Sequence, residues 1–232
     1  LKNNCLNNGG RNGLRKTQKV ILIVGIPVLI LLFVAYLQVH MMSPYSALNE
    51  IKYKDSLVQQ GDEYYVYYYK KNCPYCLKIQ DSILKLASQY ELYIVDTDKM
   101  YNRPLKFDWN NLHEQNDVEI GIQNVDGTKQ FYKGENEEKY LNTQEKNQFG
   151  KIKVFEIIIA DKNYLITNKN AQIGHIYASL QTPEIDYGKI RNSSDIIIAG
   201  VPTLLHIKNG QINGFYFDSP EISEHINDLS KE

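Results

Sequence analysis

Tryptophan is nearly absent from these 232 residues, with one copy, and cysteine is scarce, with three. So few cysteines exclude the disulfide-dense scaffolds that small secreted folds use in place of a large core. An excess of either charge is also missing. Twenty-six basic and 27 acidic side chains leave a formal net charge of −1, which removes the electrostatic footprint of a nucleic-acid binder. Hydrophobic residues at 43% and charged residues at 23% stand near globular averages, excluding both a wholly disordered chain and a multi-span membrane protein. Tyrosine, by contrast, is plentiful, and the composition leans toward β-structure. The sequence opens on Leu1 rather than methionine, as a fragment or a non-standard start would.

One long apolar run is present. Val20 to Val39 carries no charge, and a helix of that length, rising about 1.5 Å per residue, crosses a hydrocarbon layer of roughly 30 Å. Gly25 and Pro27 are tolerated in lipid, where the local backbone readjusts. Lys2, Arg11, Arg15, Lys16 and Lys19 precede the run without an acid, and the first charge after it is Glu50. The expectation is a basic cytoplasmic tail over 1–19, one transmembrane helix over 20–39 and an extracytoplasmic domain over 40–232, at the cell membrane. A cleaved secretory signal would export the same domain, although VAYLQVHMM offers no small-x-small cleavage site. Cys5 precedes the run, so it is not a lipid-bearing cysteine and reads as an incidental thiol.

Beyond the membrane, Ser43 to Gln60 reads as a linker and then a first helix, from the loose spacing of Leu48, Ile51, Leu57 and Val58. Glu63 to Tyr69 is aromatic and β-branched, as a strand prefers. From Pro74, the residues Ile79, Ile83, Leu86 and Ala87 fall on one helical face, and a strand follows at Leu92 to Asp98. The stretch from Lys99 to Ser194 is polar and Asn-rich. It contains a VDGT turn between two candidate strands within Val118 to Tyr132, a short helix at Glu135 to Asn142, and a strong strand at Lys151 to Ala160 with Asn163 to Thr167 as its candidate partner. The C-terminal part reads as strand TLLHIK, turn Asn209-Gly210, strand QINGFYF and a final helix opening around Ser219-Pro220-Glu221.

Cys73-Pro74-Tyr75-Cys76 stands at the junction between the first strand and its helix. There the first sulfur meets unpaired backbone N–H groups and the positive end of the helix dipole, which stabilise negative charge. The second cysteine follows one turn later and is spaced to resolve a mixed disulfide formed on the first. Three other readings remain open. A zinc site would need more ligands than one C-x-x-C with His113, His175 and His206 scattered along the chain. A structural disulfide across so short a loop contributes little chain entropy. The pair could also be incidental.

The order strand, C-P-Y-C, helix, strand, followed by Gly200-Val201-Pro202-Thr203 and the turn Lys208-Asn209-Gly210, resembles the thioredoxin superfamily and its membrane-anchored bacterial members. The resemblance covers residues 45–98 and 195–230. It implies an α/β, thioredoxin-like fold with a β-rich insertion over about 99–194, placed beside the dithiol or over it. It also implies a cis Val201-Pro202 bond facing the dithiol, with an ordinary trans proline as the alternative. Many thioredoxins carry a buried acid six residues before the first cysteine, where this chain has Tyr67; proton transfer would then fall to water or to another group in the insertion. The Pro-Tyr pair between the cysteines is similar to that of glutaredoxins, without a glutathione-site pattern beside it.

The expected function is that of a membrane-tethered thiol–disulfide oxidoreductase acting on exported proteins or peptides. Cys73 attacks, Cys76 resolves, and Pro74, Tyr75, Val201, Pro202 and Thr203 form the substrate dock. No cofactor and no metal are implied. The implied partners are exported thiols or disulfides and a membrane redox partner. Oxidation or isomerisation is favoured over reduction, because a reductant outside the cytoplasm needs an electron source across the membrane. A peptide-export accessory is one variant. The alternative is an anchored binding protein that keeps the fold without redox turnover.

Overall fold

A computed structural model describes residues 26–41 and 45–231. The chain is a mixed α/β structure in two compact units, Leu1–Ser46 and Ala47–Glu232. In the first unit, helix α1 (Ile26–Met41) is mostly apolar, and the side chains from Val28 to Val34 are all exposed. The expected tail (1–19), Cys5 and the start of the expected span (20–25) lie outside the described residues. Among the described residues, no helix is long and apolar enough to cross a membrane.

The second unit is built on a five-stranded sheet. Its first half comprises β1 (Asn49–Glu50), β2 (Glu63–Tyr69), the helices α2 (Pro74–Lys78) and α3 (Gln80–Gln89), and β3 (Leu92–Asp96). A long middle segment follows, with β4 (Leu105–Lys106), α4 (Trp109–Asn116), β5 (Val118–Gln123), β6 (Lys129–Phe131), α5 (Glu138–Leu141), β7 (Phe155–Ile159), α6 (Tyr164–Thr167), β8 (His175–Leu180) and β9 (Ile197–Ile198). The chain then returns to the first sheet through β10 (Thr203–Lys208) and β11 (Gln211–Phe217) and ends in α7 (Asp218–Leu229). The strand order is β1-β3-β2-β10-β11; β1, β3 and β2 run parallel, and β10 is antiparallel to both of its neighbours. At the β10–β11 turn, Asn209 and Gly210 both take positive φ, 51° and 70°, the hand that matches the twist of the flanking strands.

Strand alternation places Tyr64, Val66 and Tyr68 on one sheet face, where they pack with Tyr93, Val95, Leu205 and Ile207. This face is covered by Ile185, Tyr187, Ile190, Ile196 and Ile198, all from the end of the middle segment, so that segment completes the core of the first sheet. On the opposite face, Tyr65 meets His225 of α7. The middle segment has its own antiparallel sheet, of order β6-β5-β8-β7.

Two local expectations are corrected. Among the described residues 45–60 no α-helix forms: residues 49–50 pair with β3, a single 3-10 turn spans Tyr53–Asp55, and Leu57 is drawn into the core. The loose apolar spacing there reflects docking onto a sheet edge rather than a helical stripe. Asn163 to Thr167 is not a strand, because Tyr164–Thr167 is one helical turn with its Tyr164 side chain buried. The partner of β7 is β8, whose mixed polar and small residues gave little signal.

The His225 ring lies 3.7 Å from the Tyr216 ring in a stacked arrangement, and burial, reinforced by His206, lowers its pKa to about 4. Folding thus holds this imidazole neutral. Its contribution is fully present above about pH 6.5 and is lost as the unfolded chain takes up the proton on descent toward pH 4. Because His225 is only half-buried, the contribution is discounted to about 1–2 kcal/mol. Denaturant titrations at pH 7.0 and 4.5 should show this loss in the parent and a smaller one in His225→Gln.

Candidate active site

Cys73 lies where β2 gives way to α2. A turn closes from the Cys73 N–H to the Lys70 carbonyl at 3.3 Å, and Cys73 itself is extended, with φ −76° and ψ 118°. Its carbonyl accepts the first helical bond, from the Leu77 N–H at 3.0 Å, which makes Cys73 the N-cap. Pro74 occupies the first turn, where a missing N–H costs nothing. Cys73 is half-buried, and its Sγ donates to the Val201 carbonyl at 3.5 Å. The Val201–Pro202 bond is cis.

Cys76 lies one turn deeper and is only 1% exposed. Burial pushes its thiol up to about 12, and Cys73 adds to the rise, while the Lys70 backbone N–H and the Tyr67 hydroxyl act against it. The two sulfurs are therefore unequal. Cys73 can be reached by an incoming disulfide, whereas Cys76 is a shielded thiol at neutral pH, kept from competing with Cys73 for the first attack.

Of the expected dock, Pro74 and Tyr75 stand out into solvent, Tyr75 by 57%, and Val201 is half-buried. Pro202 and Thr203 are buried. The Thr203 hydroxyl donates back to the Gly200 carbonyl at 2.8 Å, and the Pro202 carbonyl accepts from the Asp218 N–H at 3.1 Å. These two residues hold the loop from inside, so of the expected dock only Pro74, Tyr75 and Val201 reach the surface beside Cys73.

The three histidines considered for zinc are engaged elsewhere: His113 with Asp117 and Ser179, His175 with Glu119, and His206 with Glu63. Among the described residues, no cluster of three His, Cys, Asp or Glu side chains is arranged to hold a metal. The Ser179, His113 and Asp117 set is not a nucleophilic triad. Both partners address the same ring nitrogen, Nδ1, so no proton relay runs through the imidazole.

The sequence pattern assigns no role to Phe107 and Trp109, yet both lie against the segment that leads into Pro202. The Trp109 indole N–H donates to the Ala199 carbonyl at 2.7 Å. Its standing as the chain's only tryptophan was the one signal available. The chain matches no family model, curated protein or solved structure. Its chemistry rests on the geometry of the site.

Tyr67 completes that geometry. It is fully buried on β2, its ring stacks on Tyr69 at 5.9 Å, and its hydroxyl lowers the pKa of the Cys76 thiol. A hydroxyl that lowers this pKa favours the thiolate form of Cys76. Tyr67→Phe keeps the ring and removes the hydroxyl, so if the pair exchanges disulfides, release of substrate from a preformed mixed disulfide should slow by up to about tenfold at pH 7, with the initial attack by Cys73 unchanged. Stopped-flow measurement of the two steps separates them, and an unaltered release rate would discard the role.

Proposed function

We propose that this chain is a thioredoxin-like thiol–disulfide oxidoreductase, tethered to the cell membrane by its N-terminal apolar segment and acting on exported proteins or peptides. The observation that carries the reading is the approach of Cys73 Sγ to the Val201 carbonyl across 128 positions of sequence, beside a cis proline and with Cys76 one turn behind. The five-stranded sheet, with parallel strands on one side of β10 and the dithiol at the end of β2, supports the fold that the sequence resemblance implies. The uncovered apolar surface of α1 supports the tether.

The exchange runs through one mixed disulfide. The Cys73 thiolate attacks one sulfur of a substrate disulfide, forming a new S–S bond and expelling the other sulfur as a thiolate, which takes up a proton. Cys76 then loses its proton, with the Tyr67 hydroxyl stabilising the charge, and attacks the Cys73 sulfur. The substrate leaves as a dithiol, two electrons reduced, and the Cys73–Cys76 pair is left as a disulfide. Run in reverse, the same steps oxidise a substrate dithiol, the direction favoured for exported proteins in the absence of an electron source.

Equilibration with defined ratios of reduced and oxidised glutathione, followed by alkylation of the remaining thiols, measures the potential of the pair. A two-electron transition in the range of the known exchange proteins, about −270 to −120 mV, is expected. A pair that stays reduced or oxidised throughout points instead to an anchored binding protein that retains the fold.

A further inference from the structure

We propose that Trp109 is a positioning residue for the substrate dock: by holding the Ala199 carbonyl, its indole N–H sets where Val201 stands relative to the Cys73 sulfur. The inference rests on the exchange reading above and deepens it, assigning the middle segment a part in selecting peptide disulfides over small ones.

The segment from Ile196 to Gly200 leads into Pro202 from outside the five-stranded sheet, and its backbone is held by the start of the middle segment. The Leu105 N–H donates to the Ile196 carbonyl at 3.1 Å, the Phe107 N–H to the Ile198 carbonyl at 3.1 Å, and the Trp109 indole to the Ala199 carbonyl at 2.7 Å. The first two are ladder bonds between the parallel strands β4 and β9. The third is a side-chain bond that continues the row to the residue two before Val201. Past it, a Cβ added at Gly200 would lie 3.3 Å from the Phe217 ring, a tight contact that the ring would have to yield to.

The indole is itself oriented from several sides. Phe107 meets it edge-on at 5.2 Å, His113 stacks on it at 5.7 Å, and Phe217 lies at 6.0 Å. His113 is tied to Asp117, whose carboxylate also accepts from the Leu180 N–H at 2.8 Å and from the Ser179 hydroxyl at 3.0 Å. Contacts therefore run without a gap from the second sheet, at the end of β8, to the carbonyl that precedes the dock. A peptide substrate must lie along the Val201 backbone to bring its disulfide to Cys73, and so depends on this placement. A small disulfide reaches the half-buried Cys73 sulfur without it.

The full chain is assayed with a peptide closed by one disulfide and with 2-hydroxyethyl disulfide. Trp109→Phe keeps an aromatic ring and removes the donor. It should raise KM for the peptide about tenfold, leave kcat within about twofold and leave the rate with 2-hydroxyethyl disulfide unchanged. An unchanged peptide KM, or an equal loss with both substrates, overturns the proposal. Should this variant fail to fold, 3-benzothienylalanine at position 109 preserves the shape without the N–H and carries the same expectation and the same failure. A parent chain that exchanges with neither substrate sinks the dithiol reading along with this one, a result distinct from an active parent indistinguishable from its Trp109 variant.

Discussion

Cys73→Ala should abolish disulfide exchange, with a loss of at least about a thousand-fold, while Cys76→Ala should still attack and then stall as a covalent mixed disulfide with its substrate. The asymmetry follows from burial. Cys73 is half-buried at the surface turn and faces Val201, whereas Cys76 is 1% exposed and its pKa is pushed up to about 12. In the proposed exchange the first attack therefore falls to Cys73, with Cys76 too deeply buried to replace it. Once a substrate is bound to Cys73, release depends on Cys76 alone, because water and solvent thiols are slower than a sulfur one helical turn away. Non-reducing electrophoresis after incubation with a disulfide-closed peptide should show an adduct that accumulates with Cys76→Ala, is transient with the parent and never forms with Cys73→Ala. An adduct on the Cys73 variant would assign the attacking role to the wrong sulfur.

Leu205→Ala should destabilise the second unit by about 2–5 kcal/mol. Leu205 is fully buried in β10, the strand that joins the two halves of the five-stranded sheet, and it packs in the cluster formed by Val66, Tyr68 and Val95 on one side and Ile185, Tyr187 and Ile190 on the other. Truncation leaves a cavity between elements that arrive from three regions of the chain, and none of them can shift inward without breaking a strand ladder. The cost should appear as a lower denaturant midpoint with little change in slope. In the molecules that remain folded, Cys73 should alkylate at the parent rate, since the substitution lies on the core face of β10. A loss below about 0.5 kcal/mol would mean that the middle segment does not cover this face.

Legibility in the sequence varies along the chain. The strand at Glu63–Tyr69, the helical face of Ile83 and Leu86 and the hairpin at Asn209-Gly210 all formed where the pattern placed them. In each case the signal is a period or a turn residue within a dozen positions. The middle segment was far less readable. The strand at Phe155–Ile159 was visible from its run of isoleucines, but its partner His175–Leu180 was not, because HIYASL mixes small and polar residues whose burial comes from neighbours on both sides. Polar residues were equally opaque: Asp117 and Ser179 carry no periodic signal, yet they anchor the ring that stacks on Trp109.

The sequence by itself determined the composition class, the apolar N-terminal run, the local strand-turn-helix that carries Cys73 and Cys76, and the closing hairpin, since each depends on side-chain spacing and backbone preference over a few residues. Only the tertiary structure decided that Cys73 meets Val201, that Trp109 holds Ala199 across 90 positions, that Tyr67 acts on the Cys76 thiol and that Ile185 to Ile198 completes the first core. Those outcomes depend on which chain closures lower the free energy together. A burial gained between distant segments outweighs the ordering of the loop between them only when the whole set of contacts forms at once, and no local stretch of residues encodes that sum.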